Sequence, residues 1–340
     1  MATINDIAEM VHFSVATVSY VLNGQGDKKR ISKKTQDKII EAARMMNYRP
    51  NLTARQLQAA DEIPIRLLAL WPEFYFEQPL ISIMHAVRDS MKGPSGNFEV
   101  SINFFIPNHL NEICNTTLWK SYDGIILAGA SINDLSYLSQ NKPKIPVVLV
   151  NRQLSGFPSV SIDHQEAGKL AFDISHRFGG DSICSIWDTR FHVATNLRRS
   201  AFIQCSQDAG LDLTLKMHYC EGSSADGYEL GLSLIRKNLL EKVIYCNNEG
   251  ITRGLIIALL ESRIRVGEDV LVLTSNSGES AFCRYFSPSI SSIELKMQTV
   301  FENAFILCLN VIKSQAKEDT TILIHPEVIF RDSLPATEFL

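Results

Sequence analysis

A ten-residue stretch, residues 14–23, constrains the fold of this chain more than any other. Val18, Val21 and Leu22 recur there at the i, i+3, i+4 spacing of one helix face. Ser14 is a residue type that caps helix N-termini, because its hydroxyl accepts from an otherwise unpaired amide. The opposite face carries small or polar side chains and no carboxylate: Val15, Ala16, Thr17, Ser19 and Tyr20. The spacing therefore predicts a short helix whose outer face can approach phosphate groups without repulsion.

A second amphipathic segment precedes this helix. Thr3 is its candidate N-cap, and the apolar stripe consists of Ile4, Ile7, Ala8 and Val11. Only His12 and Phe13 separate the two segments, which leaves room for a tight turn. Two short helices joined so closely are typical of a helix-turn-helix, whose second helix enters the DNA major groove. An ordinary helical hairpin that binds nothing has the same spacing, so this alternative stays open on spacing alone.

A third short helix is predicted after the turn signal at residues 23–26. Ser32 is its candidate N-cap, and one apolar face follows, made of Ile39, Ile40, Ala42, Ala43 and Met46. Three short helices of this kind can share one small core.

The charge of the chain is unevenly distributed. Residues 1–60 contain nine Lys or Arg and five Asp or Glu, so this part carries +4. The whole chain carries −4, which leaves −8 for the remainder. A cationic end on an acidic body suits a partner with a phosphate backbone, since phosphate contacts dominate the affinity of proteins for DNA. For the run at residues 28–34 taken alone, a solvated basic face is the simpler interpretation.

Residues 3–57 resemble the N-terminal region of the lac repressor/galactose repressor family of bacterial transcription regulators. Five blocks match in the family's order: Thr3-Ile4-Asn5-Asp6-Ile7-Ala8, Ser14-Val15-Ala16-Thr17-Val18-Ser19, Val21-Leu22-Asn23-Gly24, Asn47-Tyr48-Arg49-Pro50-Asn51 and Ala54-Arg55-Gln56-Leu57. Five ordered blocks are far more specific than a single helix-turn-helix pattern. The resemblance implies a DNA-binding domain over residues 1–50 and a hinge helix over residues 51–60.

The resemblance also implies roles for individual residues. Val15, Ala16 and Tyr20 would face base edges. Hydroxyl and amide side chains would mostly hold phosphates and set the register: Thr3, Ser14, Thr17, Ser19 and Asn23. Tyr20 departs from the arginine most common in the family, so the bidentate guanine contact that an arginine makes is absent. The operator sequence therefore does not follow from the resemblance.

The hinge segment supplies the remaining candidate DNA-contacting residues, Asn51, Arg55 and Leu57. By resemblance, this segment orders on operator DNA and pairs with its twin from a second subunit. Leu57 would then insert between base pairs in the minor groove, as apolar wedges that kink DNA do. The alternative for Leu57 is a core position in a continuous helix.

The sequence pattern of the remainder of the chain, residues 61–340, predicts an α/β protein. Hydrophobic residues make up 45% of the chain, which is ample for globular cores at a length of 340 residues. Short apolar runs alternate with helical stretches, a pattern that predicts parallel sheets wrapped by helices. The predicted strands are Arg66–Trp71, Phe98–Phe105, Gly124–Leu127, Val147–Val150, Ile183–Trp187, Val243–Cys246 and Val270–Leu273. The predicted helices include Leu80–Met91, Gln165–Phe178, Asn196–Ala209, Gly250–Arg263 and Met297–Ser314. Two Rossmann-like units fit this alternation, with ligands beyond the carboxyl ends of the strands.

The motifs of common enzyme classes do not occur in the sequence. GxSxG, Walker, HExxH and GxGxxG patterns are missing, so we expect no catalytic residues, no metal site and no cofactor. His12, His164 and His176 are interpreted as surface or packing residues. The seven cysteines have no CxxC pairing, which indicates reduced thiols. With no apolar run of membrane length and no signal-peptide pattern, we expect a cytoplasmic protein.

The family resemblance extends, more weakly, over residues 61–340. The matching blocks are Asp123-Gly124-Ile125-Ile126, Ser161-Ile162-Asp163, Arg263 through Val266-Gly267-Glu268-Asp269-Val270, and Glu327 through Ser333. They imply a periplasmic-binding-protein-like pair of subdomains joined by three crossovers. One subdomain would span about residues 62–160 and 293–320, and the other about residues 162–290 and 321–334, with boundaries given to within a few residues.

By position, the resemblance also implies which residues line the effector cleft. Arg198 matches the family's sugar-binding arginine, although its register could slip by one to Arg199. The other matched positions are Asn151, Ile162, Asn248 and Asn276, and each of the three asparagines could instead be a capping or turn residue. Asn276 replaces a usual aspartate and can donate as well as accept. Gly222 stands where the lactose-sensing member has an aromatic platform, and an aromatic from residues 74–76 could replace it.

The sequence thus predicts a repressor of a carbohydrate-utilisation operon. Its homodimer would bind operator DNA and release it when a small sugar or glycoside fills the cleft. Two alternatives stay open. One is a regulator that needs a corepressor, such as a purine or a phosphorylated carrier protein. The other is a sugar-binding protein with no DNA role.

Overall fold

The structure is a computed structural model that describes residues 4–22, 26–46, 64–73, 85–87, 98–114, 119–190, 193–277 and 281–335. Backbone contacts divide the chain into two units, Met1–Pro64 and Ile65–Leu340, which we name the head and the body. Each unit has its own hydrophobic core.

The elements follow one another in the order that the sequence pattern suggests. The helices of the described ranges are α1 (Ile4–Val11), α2 (Val15–Leu22), α3 (Lys33–Met45), α4 (Leu110–Cys114), α5 (Ile132–Gln140), α6 (His164–Gly179), α7 (Val193–Asp208), α8 (Ser224–Arg236), α9 (Glu249–Glu261), α10 (Ala281–Tyr285) and α11 (Met297–Ile312). The strands are β1 (Ile65–Pro72), β2 (Phe98–Phe105), β3 (Gly124–Ala128), β4 (Val147–Val150), β5 (Ser159–Ile162), β6 (Ile183–Asp188), β7 (Met217–Cys220), β8 (Val243–Cys246), β9 (Leu271–Asn276), β10 (Ser291–Glu294), β11 (Thr321–Ile324) and β12 (Glu327–Ile329).

The head is a three-helix unit, as predicted, with Ile7, Val18 and Ile39 fully buried at its centre. Full burial of each such side chain stabilises the fold by about 1.5–3 kcal/mol. α1 ends in a left-handed residue, His12, and the amide of Phe13 donates to the carbonyl of Ala8 over 3.2 Å. This is the hydrogen bond of a Schellman cap, and it permits the tight turn into α2.

The serine caps predicted for α2 and α3 are both present. The Thr17 amide donates to Ser14 Oγ over 3.1 Å, and the Thr35 amide donates to Ser32 Oγ over 3.2 Å. One core prediction for α3 is wrong, because Ile40 is exposed while Ile39 is buried. Successive helix positions point about 100° apart, so only one of these two isoleucines can face the small core.

The body contains two six-stranded sheets. The first has the order β11-β5-β4-β3-β1-β2, and all of its pairings are parallel. The second has the order β12-β10-β9-β8-β6-β7, and only β12 pairs in the antiparallel direction. All seven predicted strands are present to within a few residues. Helices cover the sheets, as parallel strands buried on both faces require.

The chain passes between the two sheets three times, after β5, after β10 and after β11. The strand pairing shifts two of these passages by a few residues from the approximate ranges predicted for the subdomains. β10 belongs to the second sheet and extends to Glu294, so the first subdomain does not resume at residue 293. β11 pairs with β5 in the first sheet, so residues 321–324 do not belong to the second subdomain. The physical reason is that β11 completes the edge of the first sheet, where its backbone groups find partners.

Two further observations complete the fold. Within the described ranges, none of the helices is both long and apolar enough to cross a membrane. All seven cysteines are free thiols, and burial raises the pKa of the Cys184, Cys283 and Cys308 thiols to about 12.

Candidate nucleic-acid interface and ligand cavity

The outer face of α2 is open to solvent. Val15 and Tyr20 expose 47% and 37% of their surface, and Ala16 is exposed as well. These exposures follow from the packing, since Val18 and Val21 occupy the buried side of the same helix. Ser14 is exposed, and Thr17 and Ser19 are half-buried at the flanks. Because α2 carries no acidic residue, this face can approach an anionic surface without charge repulsion.

A cation lies directly beside this face. Lys29 Nζ lies 4.8 Å from the centre of the Tyr20 ring, the geometry of a cation–π contact. By contrast, Lys33 is paired with Asp27 at 3.0 Å. The aromatic residue that replaces the family's arginine is therefore accompanied by a positive charge supplied from the following turn. The predicted residues Thr3, Asn23, Asn51, Arg55 and Leu57 lie outside the described residues.

A cavity of about 490 Å³ lies in the body where the two sheets face each other. Its wall is built from residues at or just beyond the carboxyl ends of the parallel strands, among them Ala128, Val150, Asp188 and Asn247. In open α/β sheets this is the place where ligands bind. The volume is within the range of small-molecule sites.

Four of the five predicted cleft residues line this cavity: Asn151, Ile162, Arg198 and Asn248. Asn276 does not line it in the described wall. That side chain is buried, and its Nδ2 donates to Glu294 Oε2 over 2.7 Å. The expectation that Asn276 faces the cleft is therefore wrong, because a neighbouring strand supplies a carboxylate that draws the amide into the sheet.

The two cavity asparagines also have structural roles. Asn151 Oδ1 accepts from the amide of Ile162 over 3.0 Å, which ties the end of β4 to the end of β5. Asn248 caps α9, since its Oδ1 accepts from the amide of Ile251 over 2.8 Å. Both side chains are thus held rigidly, which favours recognition of a bound molecule with little loss of conformational entropy.

Arg198 reaches the cavity from α7 and contacts His164, the first residue of α6. Arg198 Nη1 donates to His164 Nδ1 over 3.2 Å. Burial, together with the charges of Arg198 and Arg152, lowers the pKa of His164 to about 2, so the imidazole is neutral. His164 is a buried packing residue, as one of the two interpretations had it, and it also lines the cavity.

Asp188 is held at the end of β6 by a compact network. Arg190 Nε donates to Asp188 Oδ1 over 2.8 Å, and the Arg190 Nη2 contact with Oδ2 closes a bidentate ion pair. Asn248 Nδ2 approaches the same carboxylate at 3.3 Å. Gly222 lies against this pair, where a Cβ would come within 2.4 Å of both partners, and its φ is +89°. A side chain at this position, aromatic or otherwise, is therefore excluded, and the ion pair occupies its space.

Sequence reasoning missed several residues of the wall, namely Arg152, Asp188, Arg190, Glu249 and Arg253. Arg152 directly follows a predicted strand and the predicted residue Asn151, and that position was the available signal. Arg253 and Glu249 gave no such signal, because they lie on the first turns of a helix whose orientation depends on the packing of the body.

Comparison with known proteins identifies both units. Residues 3–51 match the family described as bacterial regulatory proteins, lacI family, and residues 176–334 match the periplasmic binding protein-like domain. The HTH-type transcriptional repressor PurR of Pasteurella multocida (strain Pm70) is 25% identical, covering 98% of this chain and 99% of that protein. The probable HTH-type transcriptional repressor ExuR of Bacillus subtilis (strain 168) is 25% identical, covering 98% of each.

Solved structures show the same fold. The lac repressor dimer bound to operator and the anti-inducer ONPF has a TM-score of 0.73 at 18% identity, covering 98% of this chain and 99% of that chain. The complex of the transcriptional regulator CelR with cellobiose has a TM-score of 0.66 at 17% identity, covering 98% of this chain and 100% of that chain.

A helix-turn-helix head joined to a two-sheet body with a ligand cavity defines a DNA-binding transcription regulator with an effector-binding core. The chain contains a LacI-family helix-turn-helix domain and a periplasmic-binding-protein-like domain.

Proposed function

We propose that this regulator represses a carbohydrate-utilisation operon. In this proposal a homodimer binds operator DNA through residues 1–60 and releases it when a small sugar or glycoside fills the body cavity. The observation that carries the DNA-binding part is the exposed, carboxylate-free outer face of α2. A regulator of this kind acts where the chromosome is, so we propose a cytoplasmic location.

The chemistry of the α2 face suits a major groove. Val15 and Ala16 can contact a thymine methyl group, and the Tyr20 hydroxyl can donate to or accept from a base edge. Ser14, Thr17 and Ser19 can donate to phosphate oxygens, which fixes the register of the helix on the duplex. Asn51, Arg55 and Leu57 are proposed as hinge contacts on the strength of the family pattern alone.

The proposal for a sugar ligand rests on the wall of the cavity. Asn151, Arg198 and Asn248 offer donors and acceptors that suit neighbouring hydroxyl groups, and Ile162 offers an apolar surface. The CelR structure with cellobiose gives the carbohydrate class a precedent in this fold. Asn276 is not part of the proposed site.

The ligand can regulate DNA binding only by binding more tightly to one state of the dimer than to the other. By linkage, operator DNA must then weaken ligand binding by the same factor that the ligand weakens DNA binding. Equal sugar affinity with and without operator would contradict the proposed coupling.

The DNA-binding part is tested with an operator selected from a randomised duplex library. Fluorescence anisotropy then measures the affinity between 50 and 200 mM salt. We expect the affinity to fall steeply with salt, by about 10³–10⁵-fold for a protein that makes 6–10 phosphate contacts. Val15→Glu places a carboxylate on the α2 face and should abolish specific binding.

Ile40→Glu is the matched control, because it adds the same charge to the exposed face of α3. The control should change affinity far less than Val15→Glu. Equal effects of the two variants, or an affinity that does not depend on salt, would favour a sugar-binding protein without a DNA role.

The same assay separates the two regulatory alternatives. An inducer sugar lowers operator affinity, whereas a corepressor such as a purine raises it. The PurR relatives are the reason to include purines among the compounds. A screen of mono- and disaccharides by thermal shift comes first, because a cavity ligand must stabilise the folded body.

A further inference from the structure

The wall of the body cavity is strongly cationic. Four arginines line it, Arg152, Arg190, Arg198 and Arg253, against two carboxylates, Asp188 and Glu249. Four positive and two negative charges leave +2 with both carboxylates ionised. Burial raises the pKa of Glu249, and its Oε1 already accepts from the Ser277 amide over 2.6 Å. The body as a whole carries a net negative charge, so the excess of positive charge distinguishes the cavity wall from the rest of the body.

Arg152 is the most informative of these cations. Only 8% of its surface is exposed, and its guanidinium donates to neutral acceptors, from Nε to the Ala130 carbonyl over 2.6 Å and from Nη1 to the Asn151 carbonyl over 2.7 Å. Within the part of the chain that the structure describes, it forms no ion pair, and Nη2 has no partner. A charge buried without a counterion is costly unless a ligand supplies one.

His164, in the same wall, carries a second hydrogen-bond donor that has no acceptor among the described residues. An arginine cannot accept hydrogen bonds, so His164 Nδ1 must accept from Arg198 Nη1 and the ring proton must lie on Nε2. His164 is 5% exposed, and its Nε2 has no partner among the described residues. Buried donors normally have acceptors, and this one belongs to a residue that lines the cavity, so a ligand oxygen is the acceptor that we infer for it.

From these observations we propose that the effector is an anionic sugar, whose carboxylate or phosphate binds at Arg152 and the neighbouring His164. This inference rests on the proposed function, because it assigns a chemical class to the ligand of the same cavity. Arg152 supplies the countercharge, and its Nη2 can donate to a carboxylate or phosphate oxygen. His164 Nε2 donates to the same anionic group. The hydroxyl groups of the sugar form hydrogen bonds with Asn151, Arg198 and Asn248.

The test compares sugars in three matched forms by thermal shift and calorimetry. Glucose, galactose and mannose are each used as the free sugar, the uronate and the 6-phosphate, alongside inorganic phosphate and acetate as minimal anions. Uronate and phosphate forms separate the two sources of the anion. Sodium chloride at equal ionic strength controls for screening, which acts on exposed charges throughout the protein.

We expect an anionic form to bind more tightly than its neutral parent, and Arg152→Met to weaken that binding about 10- to 100-fold. Arg152→Lys keeps the charge but loses the planar guanidinium that the Ala130 and Asn151 carbonyls hold in place, so it should retain part of the affinity. If Arg152→Met fails to fold, Arg152→Lys and His164→Asn test the same contact. Lys142→Met is the matched control, because it removes an exposed positive charge that is paired with Glu318.

Two results would overturn the inference. If a neutral sugar binds most tightly and Arg152→Met or Arg152→Lys leaves its affinity unchanged, the anionic class is wrong while the sugar-responsive regulator stands. If no sugar form binds and neither phosphate nor acetate stabilises the wild type more than chloride does, both the inference and the sugar part of the proposed function fail. Saturable stabilisation by inorganic phosphate that is lost in Arg152→Met supports the inference even before the sugar is known.

Discussion

Replacing Gly168 with alanine should damage the body and the cavity together. Gly168 lies on α6 where it crosses α7, and the two helices meet there backbone to backbone. A Cβ at this position would lie 2.1 Å from the carbonyl oxygen of Arg198 and 2.9 Å from the Cβ of Ala201. Ordinary contact begins at 3.4 Å, so the helices would have to separate by about 1 Å. The atom that must move belongs to the backbone of Arg198, a cavity residue.

Two effects of opposite sign decide the magnitude. Alanine is a better helix former than glycine by up to about 1 kcal/mol, which favours the variant. Overpacking of a well-packed contact costs about 1–3 kcal/mol, and backbone atoms cannot rotate away as a flexible side chain can. We therefore expect a net loss of about 1–2 kcal/mol. A change of 1 kcal/mol shifts the melting temperature of a domain of 150–250 residues by about 2–4 °C, so the melting temperature should fall by several degrees.

Intrinsic tryptophan fluorescence measures this effect on the body alone, because all three tryptophans of the chain, at positions 71, 119 and 187, belong to it. Gln165→Ala is the control, since Gln165 is exposed on the same helix and its replacement should change stability by less than about 0.5 kcal/mol. A Gly168→Ala protein that melts at or above the wild-type temperature would refute the close approach of α6 and α7.

Three further predictions concern the head, the cavity and the hinge. Ile7→Ala should lower the free energy of unfolding of the head by about 2–5 kcal/mol, which is much of the stability of so small a unit. It should abolish operator binding without changing the melting temperature of the body measured by tryptophan fluorescence. Ile40→Ala is the control and should change neither the stability of the head nor operator binding. Because the pKa of His164 falls from 6.5 to about 2 on folding, its contribution to stability is complete above pH 6.5 and fades below it. Urea unfolding should show a loss of about 1.4 kcal/mol at pH 5.5 that is missing in His164→Asn. Leu57→Ala should weaken operator binding strongly at unchanged thermal stability, and unchanged affinity would exclude the wedge role.

Periodicity was sufficient to predict the parts of the fold whose apolar pattern is local. The three helices of the head have a clear apolar stripe, and the seven predicted strands of the body are short, largely apolar runs, so their own residues identify them. The strands that were missed are short edges or polar segments. β10 is an example, with Ser291 and Ser292 fully buried.

β10 is stable because of partners far along the chain. Ser291 Oγ donates to the carbonyls of Arg331 and Leu334, each over 3.1 Å, and Ser292 Oγ accepts from Arg331 Nη1 over 2.6 Å. These contacts satisfy hydroxyl groups that would otherwise be costly to bury. A sequence pattern contains no record of partners 40 residues away, so the serine-rich run resembles a loop.

The residues of the candidate site also fall into two groups, those that the sequence predicted and those that it did not. The family pattern led to Asn151, Arg198 and Asn248, whose positions follow strand ends or a predicted helix. It did not lead to Arg152 or His164, since their importance depends on burial and on which partners are absent. Neither property is encoded in the spacing of the residues along the chain.

The three passages between the sheets limit what a bound effector can do to the body. Two of the passages lie at the wall of the cavity, near Ile162 and Leu295. The third follows Ile324 and lies beside the first, since the Asp163 amide donates to the Ile324 carbonyl over 2.9 Å. A single connection would allow one half of the body to rotate freely relative to the other. Three connections that lie together restrict the relative motion to essentially one hinge rotation. We therefore expect a bound effector to act on the body by changing the angle between its two halves.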